Sequence, residues 1–414
     1  MSTPPLPDGR GTDGRGTDGR GTDGRGTDGR GNSDVRRHNL SLVLRLVHLS
    51  RSIPRSGLTR STGLNRSTIA ALVGELVERE LLVEAEPDAN NQVGRPSPLV
   101  LPAPRPIAFA VNPEIDAITV GVVGLGATVL RRVRRPLDHS PSVADAVAVT
   151  AELVAELRRD FDTGHTILGI GAAVPGLVRA RDGVVRLAPH LDWVDEPFAA
   201  ELEAAIGLPV FAANDANLGT KAESLFGAGR GVADLIYLNG GPSGIGGGIV
   251  SGGRAISGIE GYAGEFGHMQ VVTKGIACHC GATGCLETVV RRDRLLALTG
   301  LTNGDSDELE AALIAGESPD IRAEALRQLD FLAVALRNAV NILNPSKIVL
   351  GGFLGTLYAV APEHLDRLVA TQPLAASSEL VTIQRSELGV NRLMIGAAEL
   401  VFEPVLDDPS SFSR

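Results

Sequence analysis

His268, Cys278, Cys280 and Cys285 form a His-x9-Cys-x-Cys-x4-Cys series that uses every cysteine of this 414-residue chain. No other feature constrains the fold as much, because four soft donors must be brought to one point. One imidazole and three thiolates are a usual closed tetrahedral set for structural zinc. Three cysteines buried as small apolar residues would be the plainer account. The run Cys278-His279-Cys280-Gly281-Ala282-Thr283-Gly284-Cys285 argues against it, since a glycine-rich knuckle turns tightly enough to aim several sulfurs inward. An odd cysteine count with no secretory signal also argues against a disulfide, and for a reducing, cytoplasmic location.

The length allows two or three domains, and 43% hydrophobic residues supply real cores. No run approaches the roughly eighteen apolar residues of a membrane helix, so no membrane partner is expected. The formal charge of −10 excludes a chain that coats nucleic acid with its whole surface, because sequence-independent affinity comes from neutralising phosphates. Any DNA contact must be local.

Residues 8–32 repeat Asp-Gly-Arg-Gly-Thr four times and close with Asp28-Gly29-Arg30-Gly31-Asn32. With no apolar residue and balanced charge the tract can bury nothing, and residues 1–34 are expected to be a disordered low-complexity tail. Residues 409–414 are expected to be a second tail.

Composition changes from Val35 to Leu101, where nine arginines face six acidic residues. Leu40, Val43, Leu44 and Val47 recur at helical spacing, and a short element runs from Pro54 to Gly63. Asn65 then caps a third helix whose apolar face is Ile69, Leu72, Val73 and Leu76. Arg66, Ser67 and Thr68 fall in its first turn. Two helices, a turn and a helix with a polar, basic N-terminus is the plan of a helix-turn-helix DNA reader. Leu81–Glu84 and Pro98–Leu101 read as strands around a polar loop, a wing in which Arg95 could enter a narrow minor groove. The expected winged helix-turn-helix therefore occupies residues 35–104.

Beyond Ile107 strand-like runs (Ile107–Val111, Ala117–Val123, Ile167–Val174, Pro209–Ala213, Leu235–Leu238, Lys347–Leu350) alternate with helical ones (Val143–Arg158, Phe198–Ala205, Ile321–Asn341). Alternation predicts an α/β architecture with sites at strand ends. The strand at Pro209–Ala213 ends in Asn214-Asp215. A carboxylate there can accept a hydrogen bond or a proton from a substrate hydroxyl, or merely cap the next helix. Gly244–Gly248 reads as a turn able to offer N–H groups to an anion, or as a hairpin. Glu265 lies three residues before His268.

Ile170–Gly176, Asn214-Asp215, Gly244–Gly248, Ala263–His268 and Cys278–Glu287 together resemble, in order and spacing, the ROK family of sugar kinases and sugar-responsive repressors. The resemblance spans Val35 to Asp408 and points to the transcriptional regulator branch. It implies an actin-like fold of two lobes over residues 105–408, with a sugar in the cleft near 213–215. It implies structural zinc on His268, Cys278, Cys280 and Cys285, and sugar hydroxyls on Asn214, Asp215, Glu265, His268 and Glu287.

The family's kinases open this domain with Asp-x-Gly-Gly-Thr, a phosphate cradle, where this chain reads Asn112-Pro113-Glu114-Ile115-Asp116. Pro113 removes a donor and two carboxylates oppose a triphosphate, so phosphoryl transfer is not expected. The expectation is a sugar-responsive repressor of carbohydrate-utilisation genes that binds operator DNA as a homodimer or higher homo-oligomer and is not an enzyme. The alternatives are an ATP-dependent sugar kinase with Asp215 as general base, and a regulator answering to a protein effector.

Overall fold

The computed structural model describes residues 28–86, 97–301, 306–316 and 318–412. Helix α1 (Asp28–Ser50) takes in the end of the repeat; the rest of the expected disordered tail, and the expected wing with Arg95, lie outside the described residues. Strand β1 (Ile53–Pro54) leads into α2 (Arg55–Thr62), which Gly63 ends in the left-handed region at φ 72°. Helix α3 (Arg66–Glu78) begins at Asn65, whose side chain accepts from the Thr68 N–H. Strands β2 (Leu82–Ala85) and β3 (Leu99–Pro102) complete an antiparallel sheet in the order β1-β3-β2. The predicted stripes Leu40/Val43/Leu44/Val47 and Ile69/Leu72/Val73/Leu76 are buried together.

The rest is two lobes on one repeated plan. The first sheet contains β4 (Pro106–Glu114), β5 (Ala117–Gly124), β6 (Thr128–Pro136), β7 (Thr166–Val174) and β11 (Val210–Asn214), in the order β11-β7-β4-β5-β6. Strands β4, β5 and β6 form an antiparallel meander, and β7 and β11 add in parallel. Helices α4 (Val143–Phe161) and α5 (Phe198–Ile206) cover one face, and a ribbon of β8 (Leu177–Val178), β9 (Val185–Ala188) and β10 (Trp193–Glu196) rims it.

The second sheet contains β12 (Leu235–Gly241), β13 (Gly244–Ser251), β14 (Arg254–Ile256), β15 (Lys347–Gly352) and β16 (Thr382–Arg385), in the order β14-β13-β12-β15-β16. It is again a meander with two parallel strands beside its first member. This is an actin-like two-lobed architecture. Helices α7 (Leu286–Val289), α8 (Arg292–Thr299), α9 (Ser306–Ala315), α10 (Pro319–Leu343), α11 (Phe353–Val360), α12 (Pro362–Thr371) and α13 (Ala375–Ser378) belong to this lobe.

Two helices cross between the lobes. Helix α6 (Asp215–Phe226) leaves the first sheet and packs under β13 and β12, whereas α14 (Arg392–Asp407) leaves the second sheet and packs on β7 and β4. The two helices pack against each other so closely that a Cβ on Gly396 would lie 2.2 Å from the Leu218 carbonyl oxygen. The apolar face of α14 (Met394, Ala397, Ala398, Val401, Phe402) shares one core with α1 and α3.

Of its two readings Gly244–Gly248 takes the hairpin: it opens strand β13, paired antiparallel with β12. Its glycines serve close packing: a Cβ on Gly246 would lie 2.6 Å from Ala216 Cβ, and one on Gly248 2.2 Å from Thr220 Oγ1. Strand β6 had no sequence signal, because Arg131, Arg132, Arg134 and Arg135 charge a sheet edge. The expected tail at 409–414 is docked as far as it is described. Phe412 is buried, and Arg79, which caps the C-terminus of α3, donates to the carbonyls of Ser410 (2.9 Å) and Phe412 (3.2 Å).

Candidate functional site

The knuckle is built by short bridges. Gln270 pairs with Cys285 and Ala277 with Thr283, while the Cys278 N–H donates to the Ala282 carbonyl at 2.8 Å. Gly284 has φ 75°, and a Cβ there would lie 1.8 Å from the Val272 carbonyl oxygen, so only glycine serves. His268 ends a single 3-10 turn (Phe266–His268) that faces this hairpin.

The donor atoms of His268, Cys278, Cys280 and Cys285 lie within 4.8 Å of one another. Cys280 Sγ and Cys285 Sγ are 3.7 Å apart, and Cys278 Sγ is 3.6 Å from His268 Nδ1. Tetrahedral zinc with Zn–S of about 2.3 Å sets sulfurs roughly 3.8 Å apart along each edge, so the cluster has the donors and the spacing of a metal site. Glu287 Oε1 stands beside it, 3.2 Å from Cys278 Sγ and 3.3 Å from His279 Nδ1. His268, Cys278, His279 and Glu287 make a second close quartet. Its single sulfur suits a soft cation less than the set with three.

His268 has a second face. Its Nε2 is 3.8 Å from Glu265 Oε2, in a cleft between the lobes. All five residues expected to hold a sugar line this cleft: Asn214, Asp215, Glu265, His268 and Glu287. Strand β11 and the start of α6 supply the first two, the 3-10 turn and its N-terminal neighbour supply Glu265 and His268, and α7 supplies Glu287. Asn214 is anchored by the protein, its Nδ2 donating to the Gly176 carbonyl (2.9 Å) and its Oδ1 accepting from the Asn217 N–H (2.9 Å), which leaves one N–H and one lone pair for a ligand. It caps α6 and holds the Pro175-Gly176 rim in place.

Asp215 Oδ1 accepts from the Ala216 N–H at 2.7 Å. Burial pushes its carboxyl up to about 6, with Arg392 pulling the other way. Glu265 is pushed up to about 7 by burial and then by the Asp215 and Glu287 carboxylates. The cleft thus crowds carboxylates that a polyol could satisfy through its hydroxyls.

Sequence reading missed His190, Asn239 and Arg392, which line the same cleft. His190 packs edge-on against His279 at 4.6 Å between ring centroids. No sequence spacing signals Arg392, which arrives from the far end of the chain on α14. In the kinase-motif region Asn112 and Glu114 line the cleft, but they lie in β4, paired with Thr119 and Ala117 of β5, and no glycine loop forms. Arg134 approaches both Glu114 (3.7 Å) and Asp116 (2.9 Å), so these carboxylates are less repulsive than the sequence implied.

At the N-terminal module Arg66 and Ser67 are exposed and Thr68 is half-buried. The Ser67 hydroxyl donates to Asn65 Oδ1 at 2.7 Å and is thereby committed to the helix cap. Among the described residues Arg66 has no hydrogen bond or ion pair, in contrast to Arg55, which is paired with Glu84.

Comparison with known proteins gives three kinds of match. The ROK family profile matches residues 112–403. The xylose repressor of Bacillus subtilis is 25% identical over 380 residues, covering 90% of this chain and 97% of the repressor. Among solved structures, a ROK family transcriptional regulator, a homologue of the Escherichia coli MLC protein, covers 90% of this chain and 97% of its own at a TM-score of 0.71 and 24% identity. A ROK family glucokinase from Streptomyces griseus, in complex with glucose and AMPPNP, covers 71% of this chain and 98% of its own at a TM-score of 0.60 and 26% identity.

Proposed function

The chain belongs to the ROK family, and from that premise we propose that it is a sugar-responsive transcriptional repressor whose N-terminal module is a winged helix-turn-helix. The repressor and the regulator cover 90% of this chain and the glucokinase 71%, a difference about the size of the N-terminal module, which supports this reading. Helix α3 would read the major groove with Arg66 at its N-terminal end, and Arg95 would serve the wing. Two copies would meet half-sites one or more helical turns apart, about 34–36 Å per turn.

The observation that carries the reading is α14. It begins at Arg392 in the cleft, and along the same rod places Glu399 on His48 of α1 (3.0 Å) and Glu403 on Arg45 of α1 (2.8 Å). Helix α6 also begins in the cleft, at Asp215, and its Lys221 donates to Glu403 at 2.8 Å. A sugar that draws the lobes together would move the starts of both helices; α1 is hydrogen-bonded to the far half of α14, and α6 reaches it through Glu403 and the edge-on contact of Phe226 with His48 at 5.2 Å. The effect on DNA would be a coupling free energy between two sites.

Zinc on His268, Cys278, Cys280 and Cys285 would hold the knuckle closed and orient the His268 ring. With four protein donors no position is left for a hydrolytic water. His268 would present Nε2 to a sugar hydroxyl, with Asp215, Glu265 and Glu287 accepting from others.

The test is fluorescence anisotropy of the full chain on duplexes selected from a random library, with sugars then added. Release of a selected duplex by one sugar supports the reading; failure to select any sequence would sink it.

One observation favours a second reading. Asp215, held near 6 at the cleft wall, has the properties of a general base, and a kinase would need one there. The absent glycine cradle opposes it. A coupled ATP assay over a hexose panel decides: turnover abolished by Asp215→Asn establishes the kinase.

A further inference from the structure

Among the described residues, Asn112 Oδ1 and Arg392 Nε are buried side-chain atoms with no hydrogen-bond partner, and both residues line the effector cleft. Asn112 is only 3% exposed. It lies opposite Thr119 across the β4–β5 ladder, and Thr119 Oγ1 is likewise buried and unpartnered. Their sheet face is the one covered by α14, since a Cβ on Gly121, two residues beyond Thr119, would meet the Met394 sulfur at 2.9 Å. Native proteins leave few buried polar groups unpaired, and those that remain often mark a ligand position. Here one is an acceptor and the other a donor, both at the cleft wall.

The cleft's charge decides what could join them. Glu114, Asp215, Glu265 and Glu287 line it, and Arg392 is the one permanent cation among the described lining residues. Arg132 and Arg134 act on Glu114 from β6 but do not line the cleft. A hydroxyl both donates and accepts and adds no charge. A phosphate or carboxylate would meet four carboxylates and find no donor role for itself toward Asn112 Oδ1.

We infer that Arg392 and Asn112 are effector contacts, with one sugar hydroxyl accepting from Arg392 Nε–H and donating to Asn112 Oδ1, and that the site takes an uncharged sugar and rejects phosphorylated or carboxylated ones. The inference rests on the sugar-binding reading above. It gives Arg392 two roles, ligand contact and first residue of the rod that reaches α1.

The experiment uses the full chain with D-xylose, D-glucose, D-glucose 6-phosphate and D-glucuronate, read by thermal shift and titration calorimetry. A neutral sugar is expected to raise the melting temperature while its charged counterpart does not. Arg392→Gln and Asn112→Ala are each expected to weaken that sugar at least tenfold, with metal content unchanged. Arg392→Lys keeps the charge but loses the planar Nε donor, so it should also weaken binding. If Arg392→Gln does not fold, Asn112→Ala and Arg392→Lys carry the test. Glucose 6-phosphate or glucuronate binding tighter than glucose overturns the inference, as does wild-type affinity in the variants, and both leave sugar binding itself standing. Failure of every panel sugar to bind the wild-type chain overturns the sugar reading, and this inference with it.

Discussion

His48 of α1 donates from Nε2 to the Glu399 carboxylate of α14 at 3.0 Å, with both side chains almost fully buried. The Gly126 N–H donates to His48 Nδ1 at 2.9 Å, which assigns the ring's proton to Nε2. A bond of this kind, out of water, joins the N-terminal module to the helix that starts in the cleft.

Removing one partner leaves the other buried and unpaired. His48→Ala should cost about 1–3 kcal/mol in urea unfolding, more than Glu399→Gln, which retains an acceptor for the Nε2 proton. Both variants should still bind sugar by calorimetry. The reading predicts that His48→Ala loses much of the sugar-dependent change in DNA affinity; a full response in that variant would locate the coupling elsewhere.

Loss of a knuckle donor should release metal. His268→Ala is expected to lower zinc content by elemental analysis and to abolish the sugar response, because one ring faces both Cys278 and the cleft. Cys280→Ser, whose side chain lies away from the cleft lining, should lose metal with a smaller direct effect on sugar contacts. Circular dichroism should show the N-terminal helices intact in both. A metal-free His268→Ala chain with full sugar response would overturn this assignment.

Asp215 makes stability pH-dependent. Its folded value of about 6 lies above the ordinary 3.8, so the folded chain binds the proton more tightly than the unfolded one. The stabilisation is complete below about pH 4 and is lost as pH rises through 6, a change of about 2–3 kcal/mol. Asp215→Asn should therefore flatten the stability profile between pH 4 and 6 and make the unliganded chain more stable at pH 7. Sugar affinity should fall in the same variant. An unchanged profile in chemical denaturation across that range would contradict the burial argument.

Arg66→Ala should weaken DNA binding across sequences and reduce the slope of log affinity against log salt by about 1 if the contact is to phosphate. If it reads a base, the loss is about 1–3 kcal/mol and confined to one operator position. Asn65→Ala removes the acceptor of two hydrogen bonds and should cost about 1 kcal/mol of module stability. An Arg66→Ala chain with unaltered affinity and salt slope would remove α3 from the interface.

Local order was legible in the sequence wherever one residue's chemistry forces its surroundings. Asn65 announces a helix start, the apolar stripe of α3 its buried face, and Cys278 to Cys285 a knuckle, because caps, periodicity and donor spacing act within a few residues. The family likeness extended this to the cleft and named five of its residues. It did not reveal β6, whose arginines hide a strand, nor which of its two readings, turn or hairpin, Gly244–Gly248 takes. Those depend on a sheet edge and on α6 pressing against β13, which no local window contains.

The sequence by itself determined the donors of the candidate metal cluster, the polar helix start at Asn65-Arg66 and the Asn-Pro-Glu-Ile-Asp run at 112–116. Only the tertiary structure decided that Arg392, nearly three hundred residues from Asn112 along the chain, stands in the same cleft. It also decided that one helix runs from there to His48. The physical reason is the crossing of α6 and α14 between two similar sheets: each helix buries its apolar face on the lobe it did not come from, and so carries its first residue into the cleft and its last turns onto α1.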